Sequence, residues 1–164
     1  MEASIFQLNC SDGGVPKLPV GEAQLTMTGL SGDRQEHPDI HGGVGRALCL
    51  YSMERILELQ DEGHPIYPGS IGENVTVQGL DWTVLEPGTR LTLGDDVEIE
   101  ITSYAGPCAA IRRSFADGAF ERVSQKRHPG SSRIYARVIT SGRLAVGQAV
   151  RIVRGGEQDQ DRRT

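Results

Sequence analysis

The chain has 164 residues, 24% of them charged and 37% apolar, with 21 glycines, 8 prolines and a formal net charge of −5. That length suffices to bury most of the surface an unfolded chain exposes, and the composition suits a globular protein rather than a disordered one. The acidic balance excludes a general nucleic-acid or membrane-surface binder, which would carry a basic face, so any anion must be held by a local cluster of cations.

The first residues, Met1-Glu-Ala-Ser-Ile-Phe-Gln-Leu8, hold no basic run and no sustained apolar run. No signal peptide is expected, no stretch is long enough to span a membrane, and the expected location is cytoplasmic. Ser4 to Asn9 reads as a first strand, closed by the turn Ser11-Asp-Gly-Gly14. Pro16 and Pro19 then force an extended path with Lys17 between them. Lys17 is either an ordinary solvated lysine or a cation presented to an anion from a stiff loop. Glu22 to Thr28 alternates as a second strand.

Residues 29–45 are polar and glycine-rich with no helical or strand period, as in a functional or disordered loop. His37, Asp39 and His41 fall at alternate positions, but no later ligand pair stands out, and a metal site needs at least three protein groups. His41-Gly-Gly43 followed by Arg46 fits an anion or cofactor cradle better. The glycines let backbone N–H groups approach closely, and the guanidinium donates in a bidentate fork.

Residues 46–51 form a buried-looking strand with Cys49 in the core. Ser52 is a natural N-cap, Met53, Ile56 and Leu57 give a helical stripe, and Gly63 stops the helix. A second long loop, 64–77, runs into a strand at Gly72-Glu-Asn74. Asn74 either caps a turn locally or offers its amide to a polar heterocycle or oxyanion, and Glu73 is placed to accept from a ring N–H.

From Leu80 to Ser103, short strands alternate with tight turns at Pro87-Gly88 and Gly94-Asp95, the rhythm of a small barrel or sandwich. Gly106-Pro107 stops the last of these, and Cys108 follows at the first turn of a short helix. The start of a helix favours a thiolate, the form that acts as nucleophile and metal ligand, and Arg112 and Arg113 add positive potential. The alternative is a small buried filler beside Ala109 and Ala110. A second short helix is expected over 118–126 and closing strands over 132–139 and 148–153. Residues 155–164 carry no apolar side chain and read as a disordered tail, which leaves a single domain over 1–154. Cys10, Cys49 and Cys108 stand in unrelated contexts, without disulfide or CxxC spacing.

Six segments occur in one order: Gly14-Val-Pro-Lys17, Gly29-Leu-Ser-Gly-Asp33, His41-Gly-Gly43 with Arg46 to Tyr51, Gly72-Glu-Asn74, Pro107-Cys108, and Ser132-Arg-Ile-Tyr-Ala-Arg-Val138. This order resembles the MOSC domain, named from the C-terminal domain of molybdenum cofactor sulfurase, over roughly residues 4–153. The resemblance implies a mostly β fold with a few short helices, a β-barrel of the pyruvate-kinase barrel type. It also implies binding of the molybdenum cofactor (molybdopterin) through Cys108, as catalytic residue and metal ligand. Lys17, His41, Arg46, Asn74 and Arg133 would line the groove for the pterin and its phosphate. The implied activity is reduction of N-hydroxylated or related substrates with electrons from a separate reductase. The alternative is a carrier of sulfur, as a Cys108 persulfide, or of the cofactor, working with a sulfurase protein and having no turnover of its own. No aminotransferase-like domain is present, so no pyridoxal phosphate site is expected. The expected partner is a small-molecule cofactor, with neither nucleic acid nor membrane.

Overall fold

Eleven strands organise the computed structural model, which describes residues 2–34 and 43–153. In chain order they are β1 (Ser4–Cys10), β2 (Leu18–Val20), β3 (Glu22–Thr26), β4 (Gly29–Leu30), β5 (Leu48–Ser52) and β6 (Val75–Gln78). Then come β7 (Arg90–Leu93), β8 (Val97–Tyr104), β9 (Ile134–Thr140), β10 (Gly142–Ala145) and β11 (Val150–Ile152). His37, Asp39, His41 and the expected tail over 155–164 lie outside the described residues.

The protein is mostly β. Eight strands form one sheet in the order β11-β7-β8-β9-β5-β6-β1-β2, and three form a second, β10-β3-β4. Period-two sequence explains the longest strand: Val97, Ile99 and Ile101 are buried, while Glu98, Glu100 and Thr102 stand on the other face. On that face Glu100 accepts from Arg90 Nε at 3.1 Å and Arg137 Nε at 3.0 Å, an ion-pair ladder across three strands.

The expected barrel is not closed. The order ends on β11 and β2, and β2 is a three-residue edge whose Pro19 lacks an N–H for a further ladder. Residues before β11 do lie against the start of β1, where Ile5 N donates to Gln148 O and Val150 N to Ala3 O, both at 2.9 Å.

β5 and β6 run parallel, and their crossover is helix α1 (Met53–Asp61). Ser52 caps it as expected, its hydroxyl accepting from Arg55 N at 3.1 Å. Ile56 is buried and Met53 packs partly buried against the core as expected, whereas Leu59 is buried in place of Leu57, which is half exposed. One apolar cluster runs from Ala3 through Leu50 and Ile99 to Val150, and each wholly buried Leu or Ile in it contributes roughly 1.5–3 kcal/mol.

Three further expectations are corrected. The strand expected near Leu80 to Leu85 is a 3-10 turn at Trp82–Val84, because Asp81 caps it by accepting from Thr83 N at 3.0 Å. The helix expected over 118–126 is a 3-10 turn at Phe120–Val123, preceded by another at Ala116–Gly118 within which Asp117 takes a left-handed φ of 56°. Residues 142–145, read as a connection, form β10 and pair with β3. No helix among the described residues is long and apolar enough to cross a membrane.

Candidate functional site

Cys108 is the N-cap of a six-residue 3-10 helix, Ala109–Ser114, rather than part of its first turn. Its backbone is extended (φ −140°, ψ 170°), and its side chain is half-buried. It lines a half-open cavity with an empty volume of about 650 Å³. Lys17, Asn74 and Arg133 line the same cavity, so the fold brings together four of the six predicted site residues. His41 lies outside the described residues. Arg46 is exposed on the 3-10 turn Val44–Arg46 and reaches the site at one remove, its guanidinium 5.3 Å from the centroid of Tyr135, whose ring lines the cavity.

Two of these residues are already engaged. Lys17 is not a solvated surface lysine: it is buried, and its Nζ donates to both carboxylate oxygens of Asp33 at 2.7 Å. Asn74 is neither a local turn cap nor a free amide. Its Oδ1 accepts from Cys49 N at 3.0 Å, and its Nδ2 donates to Asp33 Oδ2 at 2.9 Å. Ser11 N completes the arrangement by donating to Asp33 Oδ1 at 2.9 Å. Asp33 is thus the hub that joins the β1 turn, the Lys17 loop and the entry to β6. Sequence reasoning left it unassigned, although it ends the Gly29-to-Asp33 segment.

Arg133 is different. It is buried, its Nη1 donates to Ile71 O at 2.9 Å and its Nη2 to Gly106 O at 3.4 Å, and its Nε has no partner among the described residues. Carbonyls do not neutralise a guanidinium, so a positive charge is left at the cavity wall. Arg34 also lines the cavity, is exposed and makes no ion pair among the described residues; sequence reasoning missed it. Several arginines elsewhere are paired: Arg55 with Glu58, Arg122 with Glu62, Arg137 with Glu100. Next in sequence to Asn74, Glu73 is wholly buried, with Oε2 accepting from Thr76 Oγ1 at 3.2 Å and Oε1 unpartnered among the described residues. Burial pushes its carboxyl up to about 7, against hydrogen bonds from Gly69, its own backbone and Thr76 and the charge of Arg133.

The three cysteines separate physically. Cys49 also lines the cavity, but it is buried, and desolvation pushes its thiol up to about 11, so it stays protonated at neutral pH. Burial and the Asp33 carboxylate raise the Cys10 thiol, which does not line the cavity. Burial also pushes the neighbouring Tyr135 hydroxyl up to about 12, which keeps it neutral. No group of three or more His, Cys, Asp or Glu side chains able to hold a metal ion occurs among the described residues. The site is therefore one reachable thiol beside Arg34 and Arg133, which make no ion pair among the described residues, an arrangement that can grip an anion and present a sulfur ligand to it.

A family model described as the MOSC domain matches residues 37–151. YflK of Bacillus subtilis is 28% identical over 147 residues, covering 88% of this chain and 65% of that protein. YiiM of Escherichia coli is 31% identical over 99 residues, 58% of this chain and 44% of that protein. The chain thus spans less than two thirds of the length of these curated relatives. In fold, the crystal structure of YiiM from Geobacillus stearothermophilus superposes with a TM-score of 0.72 at 20% identity, over 94% of this chain and 76% of that one.

Proposed function

The chain belongs to the MOSC domain family, and from that premise we propose that it binds the molybdenum cofactor with Cys108 as the protein's ligand to the metal. The proposed activity is that of an oxidoreductase component that reduces N-hydroxylated or related substrates with electrons from a separate reductase, in a reducing cytoplasm where Cys10, Cys49 and Cys108 remain free thiols. The observation that carries the reading is Arg133: a buried guanidinium with an unpartnered Nε, on the wall of the same cavity as a reachable thiol. The donor set fits the group. Cys108 would hold the metal, offering one soft ligand as molybdenum accepts. Bound there, the cofactor would supply a metal centre able to pass two electrons to a substrate.

The chain's own residues divide the remaining work. Arg133 and Arg34 hold the anionic part of the ligand by charge-assisted hydrogen bonds. The Lys17–Asp33 pair adds no net charge and fixes the wall that faces them. Cys49 is buried, and desolvation pushes its thiol up to about 11, which leaves Cys108 as the accessible sulfur of the cavity. Tyr135 presents a neutral face between the cavity and Arg46.

The test is metal analysis with fluorescent detection of released pterin on the full chain, purified from a host that makes the cofactor. The expected result is molybdenum and pterin, each near one per chain. Neither present, with cyanide-labile sulfur on Cys108 instead, would replace this reading with that of a sulfur carrier, which the same reachable thiol would serve.

A further inference from the structure

A second groove adjoins the Cys108 cavity. The two share Gly14, Val15, Ala110 and Ile111 as lining, so a ligand anchored in one can extend into the other. The groove is open to solvent and runs between three segments: the loop 13–16, the loop 65–70 and the 3-10 helix that follows Cys108. Its walls are tied together, since Lys17 N donates to Gly69 O at 2.8 Å and Ser114 Oγ to Ser70 O at 3.4 Å. Two side chains give the groove its chemistry. Tyr67 is 49% exposed and lines it, offering a ring to a flat ligand. Arg113 lines it as well, is exposed, and makes no ion pair among the described residues, in a protein whose net charge is −5.

An exposed aromatic ring and a guanidinium with no ion pair among the described residues, lining the same groove, match a planar aromatic group that carries an anion. We infer that this groove is a second binding subsite for a nucleoside monophosphate-like moiety, its base stacked on Tyr67 and its phosphate held by Arg113. The inference rests on the Cys108 cavity being the reacting centre. The moiety is then either the nucleotide end of an extended cofactor or part of the substrate.

Titration calorimetry on cofactor-free full-length protein tests the subsite, with AMP, adenosine and inorganic phosphate as probes. AMP should bind more tightly than either of the others. Arg113→Gln should weaken AMP about tenfold and leave adenosine unchanged, while Tyr67→Ala should weaken both. Cys108→Ser should leave AMP binding as it is, because Cys108 does not line the groove. AMP binding no tighter than adenosine, or unaffected by Arg113→Gln, overturns the inference. Loss of AMP binding in Cys108→Ser also overturns it, by placing the nucleotide in the cavity. The two readings fail separately. Protein that binds AMP but never carries molybdenum or pterin sinks the cofactor reading alone, and cofactor-free protein that ignores AMP while the same chain loads cofactor sinks the groove alone. Where both hold, loss of AMP binding on loading assigns the subsite to the cofactor's nucleotide, and persistence assigns it to the substrate.

Discussion

Glu73 adds its own pH dependence to the fold. Its carboxyl sits at about 7 in the fold against an ordinary value of 4.5, so the folded state binds the proton more tightly than the unfolded state does. Stability from this group is therefore highest below about pH 4.5 and falls as pH rises to about 7, where the buried carboxylate loses its proton; above that the penalty is constant, on the order of 3 kcal/mol. Glu73→Gln should raise the melting temperature by several degrees at pH 8 and change it little at pH 4.5. A rise of equal size at both pH values would mean that Glu73 is not buried as an acid. Asp33 makes the opposite kind of prediction. Both it and Lys17 expose only 8% of their side chains, so Asp33→Asn leaves a buried ammonium without its counter-ion and should cost about 3 kcal/mol in a urea titration. An unchanged midpoint would put Lys17 in water.

At the scale of elements, the site depends on how closely the 65–72 loop approaches the Lys17 loop. Gly69 has φ +88°, and a Cβ there would overlap the Lys17 carbonyl oxygen and press on the Asn9 side chain. Gly147, at φ +93°, has nothing within 4 Å of where its Cβ would stand. Gly147→Ala should therefore cost only the left-handed strain of about 1–2 kcal/mol, and Gly69→Ala should cost clearly more, with AMP and cofactor binding weakened as the walls part. Equal losses in the two variants would show that the loops are free to separate. The Cys108 segment is a second case. Gly106 and Pro107 end β8 as the sequence suggests, but 3-10 turns replace the expected α-helices, since Phe115 returns to extended backbone after six residues and Asp117 turns left-handed.

For the whole molecule, the large sheet was legible where apolar and polar residues alternate for several positions, as in β8, and where apolar strand formers run together between turn signals, as in β5 and β9. It was illegible where strands are two to four residues long and carry glycine, as in β4 and β10, because so short a run has no period to read. The open ladder was also hidden, since closure depends on an edge strand whose pairing no local pattern records. Within the site, Cys108 and Arg133 could be found because a proline before the cysteine and a motif around the arginine mark them. The bonds from Asp33 to Lys17 and Asn74 span 16 and 41 residues, and no spacing rule reaches across such separations. Arg34 and Arg113 acquire meaning only once the fold shows which arginines have carboxylate partners.

The central claim is that Cys108, and neither of the other two cysteines, holds the cofactor. The most direct measurement is the molybdenum-to-protein ratio of wild type, Cys108→Ser and Cys49→Ser, each purified as folded protein from the same cofactor-producing host. Cys108→Ser should lose the metal while Cys49→Ser keeps the wild-type ratio, because Cys49 is buried in β5 and Cys108 is the more accessible thiol of the cavity. Metal retained in Cys108→Ser, or lost in folded Cys49→Ser, would contradict it.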